Sequence, residues 1–84
     1  MKPVRLSAHA RSYASSRGFT PDEVTEAIRS SKWTSAQLGR LECRMDFPFG
    51  RVWNGKSYAT KQVRPIFVEE PSEILVITVY TYYF

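Results

Sequence analysis

The chain has 84 residues, 43% of them apolar and 14% aromatic. That describes one globular domain near the low end of what builds its own core, and it excludes an intrinsically disordered chain. Twelve Lys and Arg against eight Asp and Glu leave a net charge of +4, which suits nucleic acid or an acidic protein as partner. Arg outnumbers Lys by eight to four, a balance that favours planar recognition of phosphate or carboxylate. The single Cys43 allows no internal disulfide, and with His9 the only histidine neither a metal centre nor a cofactor is expected. The opening MKPVRLSAHARS lacks the apolar core of a signal peptide, and the apolar runs are too short to span a bilayer. The expected location is the cytoplasm, with no membrane partner.

Lys2 to Leu6 reads as a short strand. Ser7 is placed as an N-cap for a helix from Ala8 to about Arg17, closed by Gly18 at the C′ position. Thr20, Pro21 and Glu23 form a capping box signature, with Phe19 and Val24 spaced for a hydrophobic staple. The helix from Pro21 to about Ser30 carries Val24, Ala27 and Ile28 on one stripe. Lys32 to Gly39 carries no decisive pattern, although Trp33 is placed to seal a helix–sheet seam.

Leu41 to Phe47 alternates Leu41, Cys43, Met45, Phe47 against Glu42, Arg44, Asp46, the pattern of a half-buried strand ended by Pro48. Asn54-Gly55 is a type I′ hairpin signal, making Phe49 to Lys61 an exposed two-stranded arm or loop. Gln62 to Glu69 is a further strand in which Pro65 implies an edge or a bulge. Glu73 to Phe84, EILVITVYTYYF, begins apolar on both alternation sets, as a central strand would, and ends as a row of hydroxyls. Its exposed tyrosines also make an edge that could pair with a second copy, a homodimer. The expected fold is α+β: a single domain over residues 1–84, with two N-terminal helices packed on a mostly antiparallel four-stranded sheet.

Ser7-Ala8-His9-Ala10-Arg11, then Arg17-Gly18-Phe19-Thr20 with Glu23 and Val24, resembles the opening of a family of small uncharacterised bacterial RelE-like domains. Val76-Ile77-Thr78-Val79-Tyr80 is similar to that family's closing strand, so the likeness covers roughly the whole chain. The resemblance implies a fold like RelE and ParE toxins and, more distantly, microbial ribonucleases. It implies a metal-independent endoribonuclease held inactive by a cognate antitoxin, with Arg64 and Tyr80 as counterparts of catalytic residues by strand position. No lysine stands at a position matching the family's catalytic lysine.

Metal-independent RNA cleavage needs a base for the 2′-OH, an acid for the leaving 5′-oxygen and cations for the charged phosphorane. His9 is the one side chain whose ordinary pKa lies near working pH. At roughly 100° per residue Arg17 falls about 80° from His9 on a helix, and Arg11 about 160° away, so Arg17 alone shares its face. Tyr80 is the candidate acid, with Arg64 and Arg44 as clamps. Trp53 with Arg51 and Lys56 forms an aromatic-basic cluster suited to stacking a splayed base, and Arg11 completes the expected RNA contacts. Each has a structural alternative: a sheet-bonded His9, helix-terminal arginines, and a hairpin tip packed on its own strands. Glu42 and Asp46 are expected to pair with Arg44 or Arg64. Two functions follow: a ribonuclease toxin using His9, Arg17, Arg64 and Tyr80, or a non-catalytic module binding protein or RNA.

Overall fold

The computed structural model describes residues 2–84. Strand β1 (Val4–Leu6) leads into α1 (Ala8–Ser12), where the Ser7 hydroxyl oxygen accepts from the Ala10 N–H at 3.0 Å, as the N-cap reading requires. The helix expected to run on to Arg17 instead breaks at Tyr13 (φ −97°, ψ 0°) and resumes as α2 (Ala14–Arg17). The cause is local. The Ser12 hydroxyl donates to the His9 carbonyl at 2.7 Å, taking the acceptor that the Tyr13 N–H would use, and that N–H turns to the Ala10 carbonyl at 3.3 Å. Gly18 then closes α2 in the left-handed conformation at φ 78°.

Helix α3 (Pro21–Ser30) starts as its signature predicts. Thr20 Oγ1 accepts from the Glu23 N–H at 3.2 Å, and Glu23 Oε1 accepts from the Thr20 N–H at 2.9 Å. Its buried stripe is Val24, Ala27 and Ile28. Trp33 does seal the seam: its indole N–H donates to the Ile28 carbonyl at 2.8 Å, while its ring meets Phe67 edge-on at 5.0 Å.

The expectation of two helices on a four-stranded sheet is overturned: among the described residues there are three short helices and a six-stranded mixed sheet, β1-β6-β5-β3-β2, with β4 also paired to β5. The undecided stretch forms β2 (Thr34–Ser35), a 3₁₀ turn (Gln37–Gly39) and β3 (Leu41–Glu42), a small hairpin. The predicted strand from Leu41 to Phe47 is split into β3 and β4 (Met45–Trp53) by Cys43 and Arg44. Both pieces keep one register on β5 (Lys56–Glu69): Glu42 faces Ile66 and Met45 faces Val63. Opposite Cys43 in this gap lies Pro65, which has no N–H to donate, so the ladder lapses there. Pro65 is therefore buried in a strand with neighbours on both sides, and the break in its partner accommodates it. The arm closes through Asn54 (φ 50°) and Gly55 (φ 80°), as the hairpin signal predicts.

β6 (Ile74–Tyr83) runs antiparallel to β5 and parallel to β1, which makes the sheet mixed. Its pairing shifts between Ile66–Thr78 and Phe67–Val76, leaving Ile77 as a bulge. The extra residue reverses the alternation, so Val79 joins Ile74 and Val76 in the core rather than facing away from them. β6 is also central only at its start: β1 flanks it from Ile74 to Val76, and beyond that no strand among the described residues pairs with its outer edge.

The helices lie on one face of the sheet, over a core that includes Leu6, Phe19, Val24, Ile28, Cys43, Val63, Phe67 and Val76. Lys61 is buried among them, with Nζ donating to the Gly18 carbonyl and Glu23 Oε1, each at 2.9 Å. Among the described residues no helix is long and apolar enough to cross a membrane.

Candidate nucleic-acid interface

The sheet face opposite the helices carries the candidate site. Register sets its rows: Arg64 lies across from Tyr80, Gln62 from Tyr82 and Ile66 from Thr78, with Glu42 beyond Ile66 and Asp46 beyond Gln62. A shallow cleft of about 610 Å³ opens over this face, bordered by Leu38, Arg40, Glu42, Arg64, Thr78 and Tyr80.

Three of the four predicted catalytic residues meet there. Arg17, the last residue of α2, reaches round the open edge of β6. Its Nη1 donates to the Val79 carbonyl at 2.8 Å and to Thr78 Oγ1 at 3.3 Å, and its guanidinium lies 3.9 Å from the Tyr13 ring centre and 5.2 Å from that of Tyr80. The backbone explains this placement. Thr60 and Phe84 exchange both hydrogen bonds, at 2.8 and 3.0 Å. Alternation then turns the backbone groups of Val79, Thr81 and Tyr83 outward, so the Val79 carbonyl needs a donor from outside the ladder. Thr81 Oγ1 returns a hydrogen bond to the Arg17 carbonyl at 2.6 Å, locking helix and strand together.

Arg64 approaches Tyr80 from the other side, its guanidinium 5.6 Å from the ring centre. It is held by a two-pronged contact with Glu42, Nε to Oε2 at 2.8 Å and Nη2 to Oε1 at 3.0 Å, and its Nη1 donates to the Tyr82 hydroxyl at 3.1 Å. Those hydrogen bonds hold the Glu42 carboxyl below the ordinary glutamate range and raise the pKa of Arg64. Arg44 adds a longer contact to Glu42, at 3.8 Å. Asp46 accepts from Gln62 at 2.9 Å rather than pairing with an arginine. Among the described residues no carboxylate lies within ion-pair distance of Arg17, which keeps an uncompensated charge beside the cleft.

His9 stands one step back. It is exposed on α1, its ring edge-on to Tyr13 at 5.0 Å, and it joins the cleft through Tyr13 and Arg17 rather than by touching Tyr80. Tyr13 carries no candidate role in the sequence, although the i, i+4 spacings from His9 to Tyr13 and from Tyr13 to Arg17 put the three on one helix face.

The remaining predicted RNA contacts scatter. Arg11 donates from Nε to the Leu6 carbonyl at 3.4 Å and so braces the β1–α1 junction. Trp53 is stacked on Tyr83 at 4.9 Å with 17° between planes, and Phe49 and Tyr58 also surround Tyr83. Tyr83 points to the helix side, its hydroxyl donating to the Arg17 carbonyl at 2.8 Å. The indole face expected to receive a base is thus occupied on the helix side of the sheet. Arg51 lies over the Phe49 ring at 4.8 Å, and Lys56 over Tyr58 at 5.7 Å, both along the arm. Burial raises the pKa of the Tyr83 phenol and pushes the Cys43 thiol up to about 11, so both stay protonated at neutral pH.

Comparison with protein-family models, curated proteins and solved structures found no match. What the geometry offers is an open, arginine-bracketed phenol with a histidine at its margin. Such a site can hold a phosphodiester by charge and stack a base by its ring.

Proposed function

We propose that this protein is a toxin-type, metal-independent endoribonuclease whose cleft around Tyr80 receives an RNA phosphodiester. One observation carries the reading: guanidiniums from two separate elements, α2 and β5, bracket a single exposed phenol ring at 5.2 and 5.6 Å. In the reaction, His9, once RNA binding closes the step that separates it from Tyr80, takes the proton of the 2′-OH as its oxygen bonds to phosphorus. The bond from phosphorus to the 5′-oxygen breaks, and that oxygen takes the Tyr80 proton. The products are a 2′,3′-cyclic phosphate and a 5′-hydroxyl, with Arg17 and Arg64 stabilising the charge that builds on the phosphoryl oxygens. The resemblance to RelE-like domains adds a cognate antitoxin as protein partner and the bacterial cytoplasm as the setting.

A second reading is a non-catalytic RNA- or protein-binding module. It is favoured by the contact of His9 with Tyr13 instead of Tyr80, and by the prior engagement of Arg64 with Glu42. Labelled RNA incubated with the protein in EDTA separates the two. The ribonuclease reading expects cyclic-phosphate ends, with His9→Ala and Tyr80→Phe each slowing their release by about 10²-fold or more. RNA that is bound but never cut assigns the binding module; cleavage indifferent to both substitutions removes this site from the reaction.

A further inference from the structure

The open sheet face holds more exposed aromatic surface than one phosphate needs. Tyr80 and Tyr82 on the free-edged half of β6 and Phe84, the residue after it, alternate in sequence and are exposed at 41%, 42% and 59%. The Arg64 contacts with the Tyr80 ring and the Tyr82 hydroxyl put both tyrosines on the cleft side, and the strand period carries Phe84 to the same side. Thr81 and Tyr83 point the other way, to the Arg17 carbonyl, so the alternation is maintained to the end of the strand.

We propose that Tyr80, Tyr82 and Phe84 form a stacking platform for consecutive bases of single-stranded RNA, leading away from the arginine-bracketed phosphate. The inference rests on the RNA reading above and adds the substrate class, an unpaired strand. Spacing selects it. Alternate residues of an extended strand lie about 6.8 Å apart, twice the roughly 3.4 Å repeat of a stacked duplex strand. Bases laid on neighbouring rings must therefore be splayed from one another, which an unpaired strand permits and a duplex forbids.

Charge selects the same occupant. Glu42 and Asp46 on this face are already engaged, Glu42 by Arg64 and Arg44 and Asp46 by Gln62, while among the described residues no carboxylate pairs with Arg17. A polyanion is accommodated there more readily than an acidic-patterned strand of protein, which would bring no planar rings to the platform. Arg64, through its hydrogen bond to the Tyr82 hydroxyl, also fixes the orientation of the second ring relative to the phosphate site.

The test is fluorescence anisotropy with a fluorescein-labelled 2′-O-methyl octauridylate, which cannot be cleaved, and with the same strand annealed to its complement. The single strand is expected to bind the intact protein and the duplex more weakly. Tyr82→Ala and Phe84→Ala are each expected to weaken the single strand by about tenfold, while Tyr82→Phe, which keeps the ring but loses the Arg64 hydrogen bond, is expected to bind more tightly than Tyr82→Ala. Alanine variants that fold, as judged by their melting temperatures, and bind as tightly as the parent overturn the platform. So does equal affinity for the duplex, or no binding of the single strand at low salt, which would leave the stripe to a protein partner. Cleavage of unmodified RNA in EDTA, measured alongside, separates this from the ribonuclease reading. Cleavage with unchanged affinity in the alanine variants removes the platform alone; lost affinity without any cleavage removes the nuclease alone.

Discussion

At the scale of single residues, Glu42 shows how one carboxylate sets both the geometry and the acid limit of the site. It fixes the guanidinium of Arg64, and its own pKa is held down chiefly by the hydrogen bonds it receives. A carboxyl whose pKa is lower in the folded than in the unfolded chain adds stability above the unfolded value, about 4.3, and loses it as pH falls through the folded value. Glu42→Gln should therefore unfold about 1 kcal/mol more readily than the parent in urea at pH 7. The gap should close as the pH is lowered below about 4. A gap that stayed constant down to pH 2 would show that the ion pair is not its source. Leu38 makes the opposite case. It stands 85% exposed at φ 61° in the turn between β2 and β3, a conformation that costs a leucine roughly 1–2 kcal/mol. Asparagine tolerates that region, so Leu38→Asn should raise the melting temperature by about 4–8 °C.

At the scale of elements, the firmest joint is the one between α3 and β5. Glu23 closes the capping box of α3 and also receives the Lys61 ammonium, at 2.7 Å from Oε2, where the lysine side chain is only 5% exposed. One side chain thus ends a helix and neutralises a buried charge. Glu23→Gln keeps a residue suited to the box but strands the ammonium, so it should destabilise the fold by about 3 kcal/mol. Chemical denaturation of Glu23→Gln beside Thr20→Ala, where the cap alone is lost for about 1 kcal/mol, separates the two contributions. Equal losses in the two variants would mean that the ion pair adds nothing to the cap. The break between α1 and α2 belongs to the same scale. By ending α1 at Tyr13, the Ser12 hydroxyl lets α2 turn its last residue, Arg17, towards the edge of β6.

For the whole molecule, the division of faces decides function. The helices cover one side of the sheet and bury nearly all of the core, while the other side keeps Arg17, Arg64, Tyr80 and Tyr82 accessible to a ligand. A chain of net charge +4 with Arg17, Arg44 and Arg64 among the arginines near that face should, on the RNA reading proposed above, bind a single strand with a strong salt dependence. If Arg17, Arg44 and Arg64 each displace one counterion, the slope of log affinity against log salt is about −2. Titrations between 50 and 200 mM salt should lose about tenfold or more in affinity, and Arg17→Ala should make the slope shallower by about 0.7. A slope unchanged in that variant would place the phosphate contacts elsewhere.

The caps, the Asn54-Gly55 hairpin, the Trp33 seam and the buried stripe of α3 were all readable in the residues, because each depends on neighbours a few positions away. Arg64 and Tyr80 are singled out by strand position and the RelE-like resemblance, and Arg17 by its helical angle to His9; it is the fold that brings Arg17 to Tyr80 and leaves His9 against Tyr13. What the sequence could not decide was set by long-range pairing. Pro65 interrupts a strand that lies more than twenty residues earlier in the chain, turning one strand into β3 and β4. Ile77 bulges only because β5 holds the register on both sides of it, and that single extra residue decides which tyrosines face the cleft. The expected base-stacking role of Trp53 gave way to Tyr83 for the same reason: an aromatic ring goes where tertiary neighbours bury it, and local sequence does not contain those neighbours.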